Sequence, residues 1–365
     1  MNTAFDFATL RRYPDVEAAN LYAVDASDRL ILDEAAEALA AARPGEVVVI
    51  GDGYGALTLG SGASDIRVFQ DSVVSERALA ANGGGHVSTN FPLGEDLLRG
   101  ARVVLMQLPR SLPELDELTA AIAAYAADDV VVYAGGRIKH MTVSMNAVLA
   151  KHFGRVDVRH ARQKSRVLVA SRPVRGPLPE PATAYHADLG LHVVATGAAF
   201  AGTKIDIGTR ALLAGLPEAA PGASTAVDLG CGTGVVAAVM AAARPSVAVL
   251  ATDVSWGAVT SARLTAKANG LGNVTVTRDD AASEHPDASA DLVLLNPPFH
   301  LGGTVHTGAA SKLFAAAARI LKPDGELWTV YNSHLGYRGE LARVVGPTRE
   351  FSRNSKFTVT MSKKD

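Results

Sequence analysis

The sequence predicts an α/β protein of two tandem doubly wound domains, and three observations predict it. Apolar strand-like runs alternate with helix-periodic stretches, the whole alternation occurs twice in one order, and a proline-rich segment separates the copies. Parallel strands need long crossovers, which the helical stretches supply. The 365 residues suffice for two or three cores at roughly 100–200 residues per domain.

The first copy opens on EVVVIGDGYG (46–55), an apolar strand running into glycines. IRVFQD (66–71) and RVVLMQL (102–108) follow as strands, a helical pattern covers Ser111 to Ala127, and VVVYAGG (130–136) is the next strand. RPVRGPLPEP (172–181) is too rich in proline to continue a helix or strand and reads as the linker. The second copy repeats the order with TAVDLGCGTG (225–234), VAVLATD (247–253), NVTVT (273–277), DLVLLN (291–296), a helical Thr307 to Leu321, and GELWTVYN (325–332). Both halves end alike, in RHARQKSRVLVAS (159–171) and REFSRNSKFTVTMS (349–362). The expected domains are 1–175 and 185–365.

Composition narrows the classes. A hydrophobic content of 48% is wrong for a disordered chain, and one cysteine makes no disulfide framework. The start, MNTAFDFATLRRYPD, has acids and arginines where a signal peptide needs an apolar run, and no apolar stretch of about 18 residues follows. A cytoplasmic protein without a membrane partner is expected. Charge is uneven: residues 101–180 carry 12 basic and 7 acidic side chains and residues 301–365 carry 10 and 5, against a net charge of −2 for the chain. Each run taken alone is most simply a solvated face.

The chemistry lies in the second copy. Asp228, Gly230, Gly232 and Gly234 stand where an apolar strand meets a helix, and glycines there let backbone amides approach a ligand. A dinucleotide fingerprint is G-x-G-x-x-G/A; here the third glycine comes one position early, which disfavours an NAD-dependent oxidoreductase. Asp253 ends the next strand, where a carboxylate accepts both hydroxyls of a ribose, so a nucleoside-bearing ligand is implied. The plainer alternative is a glycine turn beside an ordinary strand-end acid.

Asn296, Pro297, Pro298, Phe299 and His300 follow the fourth strand, at the carboxyl edge where open α/β sheets take ligands. The prolines stiffen the turn and leave the Asn296 side-chain oxygen and the Pro297 carbonyl as acceptors. Two acceptors on a planar amine orient it and favour its more nucleophilic geometry. Phe299 adds a face for stacking, worth about 1–3 kcal/mol per base. His300 serves either a phosphate contact or the turn itself, and a proline pair before a core Phe is the competing structural reading.

DLGCGTG, Asp253 and NPPFH together resemble class I S-adenosylmethionine-dependent methyltransferases that methylate amines. With GTKIDIGTRALL (202–213), QLPRSLPEL (107–115), AGGRIKH (134–140) and QKSRVLV (163–169), nearly the whole chain is similar to the bacterial ribosomal RNA guanine-N2 methyltransferases, most closely the large-subunit enzyme. The resemblance implies two Rossmann-like methyltransferase domains, the first a degenerate copy, for Gln107, Leu108, Pro109 and Arg110 lack both the Asn and the aromatic. It also implies S-adenosyl-L-methionine as cofactor, ribosomal RNA as partner with the large subunit favoured, and transfer to the N2 amine of a guanine. By resemblance, Asp228, Gly230, Gly232 and Gly234 form the cofactor loop, Asp253 holds the ribose, Asp280 and Ala281 flank the adenine, and Asn296, Pro297 and Phe299 hold the base. Asp206 and Gly208 match the family's entry segment. Trp256 packs beside the cofactor pocket, and Cys231 is a small turn residue rather than a nucleophile. His285, His306 and His334 have no metal-ligand spacing, so no metal is expected. Arg159, Arg162, Lys164, Arg166, Arg349, Arg353 and Lys356 are candidates to track phosphates. The competing functions are methylation of adenine N6 or a protein glutamine, and a non-enzymatic RNA-binding ribosome-assembly protein.

Overall fold

A computed structural model describes residues 5–298 and 308–365. Contacts divide the chain into two compact units, Met1–Glu180 and Pro181–Asp365.

In the first unit, α1 (Ala26–Ala41) leads to β1 (Val47–Ile50), α2 (Ala56–Gly60), β2 (Ile66–Phe69), α3 (Val73–Ala81), β3 (Ser88–Asn90), α4 (Glu95–Leu98) and β4 (Val103–Gln107). Then come α5 (Leu112–Tyr125), β5 (Val131–Arg137), α6 (Val143–His152), β6 (Phe153–Val158) and β7 (Ser165–Pro173). They build a seven-stranded sheet in the order β3-β2-β1-β4-β5-β7-β6, parallel except at β7. The central β1 is VVVI, buried along its length, as a strand covered on both faces must be.

The second unit begins with a hairpin, β8 (Ala182–His186) and β9 (Leu191–Ala195), followed by α7 (Ile207–Leu213), β10 (Thr225–Leu229), α8 (Val235–Ala243) and β11 (Ala248–Asp253). It continues with α9 (Trp256–Ala268), β12 (Val274–Arg278), β13 (Ala290–Leu295), α10 (Gly308–Ile320), β14 (Leu321–Asn332), α11 (Arg338–Val344), β15 (Thr348–Arg353) and β16 (Phe357–Lys363). The sheet order is β12-β11-β10-β13-β14-β16-β15, the first unit's order position for position. One apolar cluster lies around Val236, Leu292 and Trp328, and another around Val293, Phe314 and Tyr331. Alternate residues of β13 thus feed opposite faces of the sheet.

The duplication extends to hydrogen bonds. At the end of α3, Asn82 accepts from the Arg11 amide at 3.0 Å and donates to its carbonyl at 2.8 Å. At the end of α9, Asn269 does the same to His192, at 2.9 and 2.7 Å. Each Asn thereby pins the segment that leads into its unit.

Two expected boundaries shift. Arg172 and Pro173 belong to β7 rather than to the linker, and Pro173 is tolerated because it is the strand's last residue, paired with Phe153. The hairpin β8–β9 was not expected, and β8 runs across residue 185, where the second domain was placed.

Candidate functional site

The glycine loop joins β10 to α8, and its shape follows from its backbone angles. Gly230, Gly232 and Gly234 have φ of 79°, 53° and 76°, a region that side chains disfavour. The amides of Gly230 and Cys231 donate to the Thr252 carbonyl at 2.8 and 3.0 Å, anchoring the loop to β11. A Cβ on Gly230 or Gly232 would meet nothing within 4 Å, whereas one on Gly234 would come 2.8 Å from the Cβ of Ala262 in α9. Space is open above the first two glycines, and the third lets two helices pack.

Asp228 and Asp253 hold this loop from two sides. Asp228 is buried in β10 and accepts from the Ala237 amide at 2.9 Å, serving a helix N-terminus that has no other side-chain cap. Burial pushes its carboxyl up to about 7, against that hydrogen bond and with the help of the Asp253 charge. Asp253 is half-buried, accepting from the Gly232 amide and the Ser255 amide, each at 3.0 Å. Burial first, and then the charges of Asp253 and Asp228, raise the Cys231 thiol well above its ordinary value, so it is no nucleophile.

Beyond β12, Asp279 builds the turn by accepting from Ser283 Oγ at 2.6 Å and the Glu284 amide at 2.8 Å. Asp280 is buried, and its Oδ2 receives Lys312 Nζ of α10 at 2.5 Å. Ala281 has a φ of 53° in this tight turn. Trp256, three residues after Asp253, carries the Arg278 guanidinium 4.7 Å above its ring.

Asn296 follows β13, and the sheet brings it to the loop: Leu229 pairs with Leu295 and with Thr252, so Gly230, Asp253 and Asn296 share one carboxyl edge. Its side chain is clamped from α7. Asp206 caps that helix, accepting from the Thr209 amide at 3.0 Å and from Thr209 Oγ1 at 2.6 Å. Asn296 Nδ2 donates to Thr209 Oγ1 at 3.0 Å and to Asp206 Oδ2 at 3.3 Å. A carboxylate only accepts, and the threonine proton is already committed to it, so the amide nitrogen must face this pair. That orientation leaves Asn296 Oδ1 buried and without a hydrogen-bond partner among the described residues. Pro297 is buried and Pro298 exposed. Phe299, His300 and His306 lie outside the described residues.

The first unit keeps the scaffold and changes the groups. Gly51, Gly53 and Gly55 have φ of 74°, 64° and 99°, the same loop. The residue at the position of Asp253 there is Gln70, whose Oε1 accepts from Gly53 at 3.3 Å; the acid that ends the IRVFQD run, Asp71, comes one residue later. Val49 stands where Asp228 does, and the helix amides are capped instead by Asp52 within the loop, at 2.8 Å to both Leu57 and Thr58. Gln107 replaces Asn296 and donates to Asp28.

Sequence reasoning did not assign Thr209 or Lys312 a role. Thr209 had a signal, three residues after a helix-capping Asp; Lys312 pairs with a residue 32 positions away and had none. The two basic tails also differ. Arg159 and Arg162 are paired with Glu34 and Asp33 of α1, whereas Arg349, Arg353 and Lys356 are exposed and make no ion pair among the described residues. Among those residues no group of His, Cys, Asp or Glu is arranged to hold a metal ion, and no helix is long and apolar enough to cross a membrane.

Comparison with known proteins places this geometry. The family model described as Methyltransferase small domain matches residues 190–361, and that described as RLMG N-terminal domain matches residues 1–174. The fold resembles that of the T. thermophilus 16S rRNA N2 methyltransferase RsmC, solved with AdoMet and guanosine, with a TM-score of 0.77, 21% identity, and coverage of 93% of this chain and 92% of that one. Two Rossmann-like methyltransferase units in tandem are thus the architecture. The chain is 34% identical to the ribosomal RNA large subunit methyltransferase G of Streptomyces avermitilis, covering 98% of this chain and 97% of the relative. It is also 34% identical to that of Shewanella amazonensis, covering 97% and 96%. The chain belongs to the ribosomal RNA large subunit methyltransferase G family.

Proposed function

We propose that this enzyme transfers the methyl group of S-adenosylmethionine to the exocyclic N2 amine of a guanine in large-subunit ribosomal RNA, in the cytoplasm, using its second unit. The observation that carries the proposal is the Asn296 amide, fixed by Asp206 and Thr209 with its oxygen buried and unpartnered. An unpaired buried acceptor costs about 1–3 kcal/mol, which a substrate N–H repays.

The residues fit the cofactor. Open space above Gly230 and Gly232 admits it beside amides at a helix start, and the Asp253 carboxylate, at the end of the neighbouring strand, is the acceptor for ribose hydroxyls. Asp228 holds the loop from beneath rather than touching the ligand, and Asp280 and Ala281 border the space for the adenine, with Lys312 fixing the Asp280 carboxylate. When bound, the cofactor supplies a methyl group on a positively charged sulfur.

The chain's own contribution is alignment. Asn296 Oδ1 and the Pro297 carbonyl accept from the two amine hydrogens, directing the nitrogen lone pair at the methyl, while Phe299 stacks on the base. Alignment of two reactants supplies about 7–11 kcal/mol. No strong base is needed, since the methylated amine becomes acidic and passes its proton to an acceptor already bonded to it. Turning the base out of its RNA context costs a few kcal/mol, and Arg349, Arg353 and Lys356 offset this through phosphates.

Asn296→Ala tests the reading. Turnover on unmodified ribosomal RNA should fall by about 100-fold or more, with cofactor affinity unchanged by calorimetry. Near-normal turnover would remove the amine-positioning role.

A further inference from the structure

The two units put the same four positions in the same places, and one difference among them bears on the Asn296 acceptor. Asp25 caps α1 as Asp206 caps α7, Asp28 stands where Thr209 does, Gln107 where Asn296 does, and Ser27 where Gly208 does. In the first unit the Ser27 hydroxyl lies 2.5 Å from Asp25 Oδ1 and 3.3 Å from both the oxygen and the nitrogen of the Gln107 amide. That amide therefore has a hydroxyl against it. In the second unit the side chain is missing: a Cβ on Gly208 would lie 2.9 Å from Asp206 Oδ1, 3.2 Å from Phe357 Cε1 and 3.5 Å from Asn296 Oδ1. Gly208 has no positive φ and is the second residue of α7, a position whose backbone any residue adopts. Backbone conformation does not account for it.

We propose that Gly208 is a positioning residue: its absent side chain leaves the buried Asn296 oxygen without a donor from the chain itself, so that the substrate amine supplies one, and a serine there would satisfy it as Ser27 sits against the Gln107 amide. The proposal rests on the acceptor role of Asn296 given above and deepens it.

Gly208→Ser, Gly208→Ala and Asn296→Ala in the full chain test this, each measured for methyl transfer to unmodified large-subunit ribosomal RNA, S-adenosylmethionine affinity and melting temperature. Ser27 shows that the equivalent turn of the first unit holds a serine. Gly208→Ser should lower kcat by about 100-fold or more, the scale of losing one hydrogen-bond partner of a reacting group. Its cofactor affinity should stay within about threefold, and it should melt no lower than Gly208→Ala, because only serine gives the orphaned oxygen a donor. Alanine, in ordinary contact with that oxygen and without a donor, should lose only about tenfold. The proposal is overturned if the serine variant turns over within about threefold of the parent while Asn296→Ala is silent. It is also overturned if alanine loses as much as serine, which assigns the effect to crowding of Asp206. Should Asn296→Ala itself be active, the acceptor reading fails and this one with it.

Discussion

Asp228 shows how one side chain links the loop's shape to pH. Its carboxyl, raised to about 7 by burial, compares with about 3.9 in an unfolded chain. Between those values the native state holds a proton that the unfolded chain has released, so stability falls as pH rises from about 4 to about 7. Asp28 and Asp52, raised by burial to about 7 and about 6, act in the same direction. Asp228→Asn keeps an acceptor for the Ala237 amide and removes the charge. Thermal melts from pH 5 to 8 should show a shallower decline for this variant than for the parent, and an unchanged slope would refute the assignment. The candidate site was largely legible at this scale because Asp253, Asn296 and the glycines are contiguous with strand ends that the pattern reveals. Which way the Asn296 amide faces was not, since it depends on Asp206 and Thr209, nearly ninety residues away.

Among the elements, the glycine loop and the β15–β16 hairpin separate binding from folding. Gly230→Ala meets only the left-handed backbone strain, about 1–2 kcal/mol, yet fills the open space above the loop. Gly234→Ala adds overpacking against Ala262, about 1–3 kcal/mol more. Calorimetry and melting curves should therefore place the larger loss of cofactor affinity on the first variant and the larger loss of stability on the second. In the hairpin, Arg353 and Lys356 flank Phe357, whose ring lies beside the Gly208 position. Charge reversal of both should raise KM for RNA and flatten its salt dependence, by about 0.7–0.9 in log–log slope for each phosphate no longer neutralised. Reversal of Arg159 and Arg162 should do less, because α1 already neutralises them; equal effects would contradict this division. Sequence pattern located β1, β2, β4, β5, β10, β11, β12 and β13 within one or two residues, began β14 late and did not single out β3 or β6. It missed β8–β9, whose ADLG turn ends on Gly190 at φ 62°, because its tyrosine, histidines and acid interrupt the apolar alternation.

For the molecule as a whole, the repeated strand order and the paired Asn82 and Asn269 clamps identify one ancestral unit used twice, with chemistry kept in one. The duplication was readable from motif order alone, since an apolar strand running into a glycine loop, followed by alternating strands and helices, recurs in both halves. The replacement of Asp253 by Gln70 was not, because Asp71 beside it satisfies the same sequence pattern and only strand register separates them. The central claim is that a fixed amide oxygen selects a guanine N2 amine as the methyl acceptor. Nucleoside mass spectrometry of unmodified large-subunit ribosomal RNA, incubated with the protein and S-adenosylmethionine, tests it most directly. N2-methylguanosine at a single site, absent with Asn296→Ala, is the predicted result; N6-methyladenosine, or an N2-methylguanosine yield indifferent to that substitution, would contradict it.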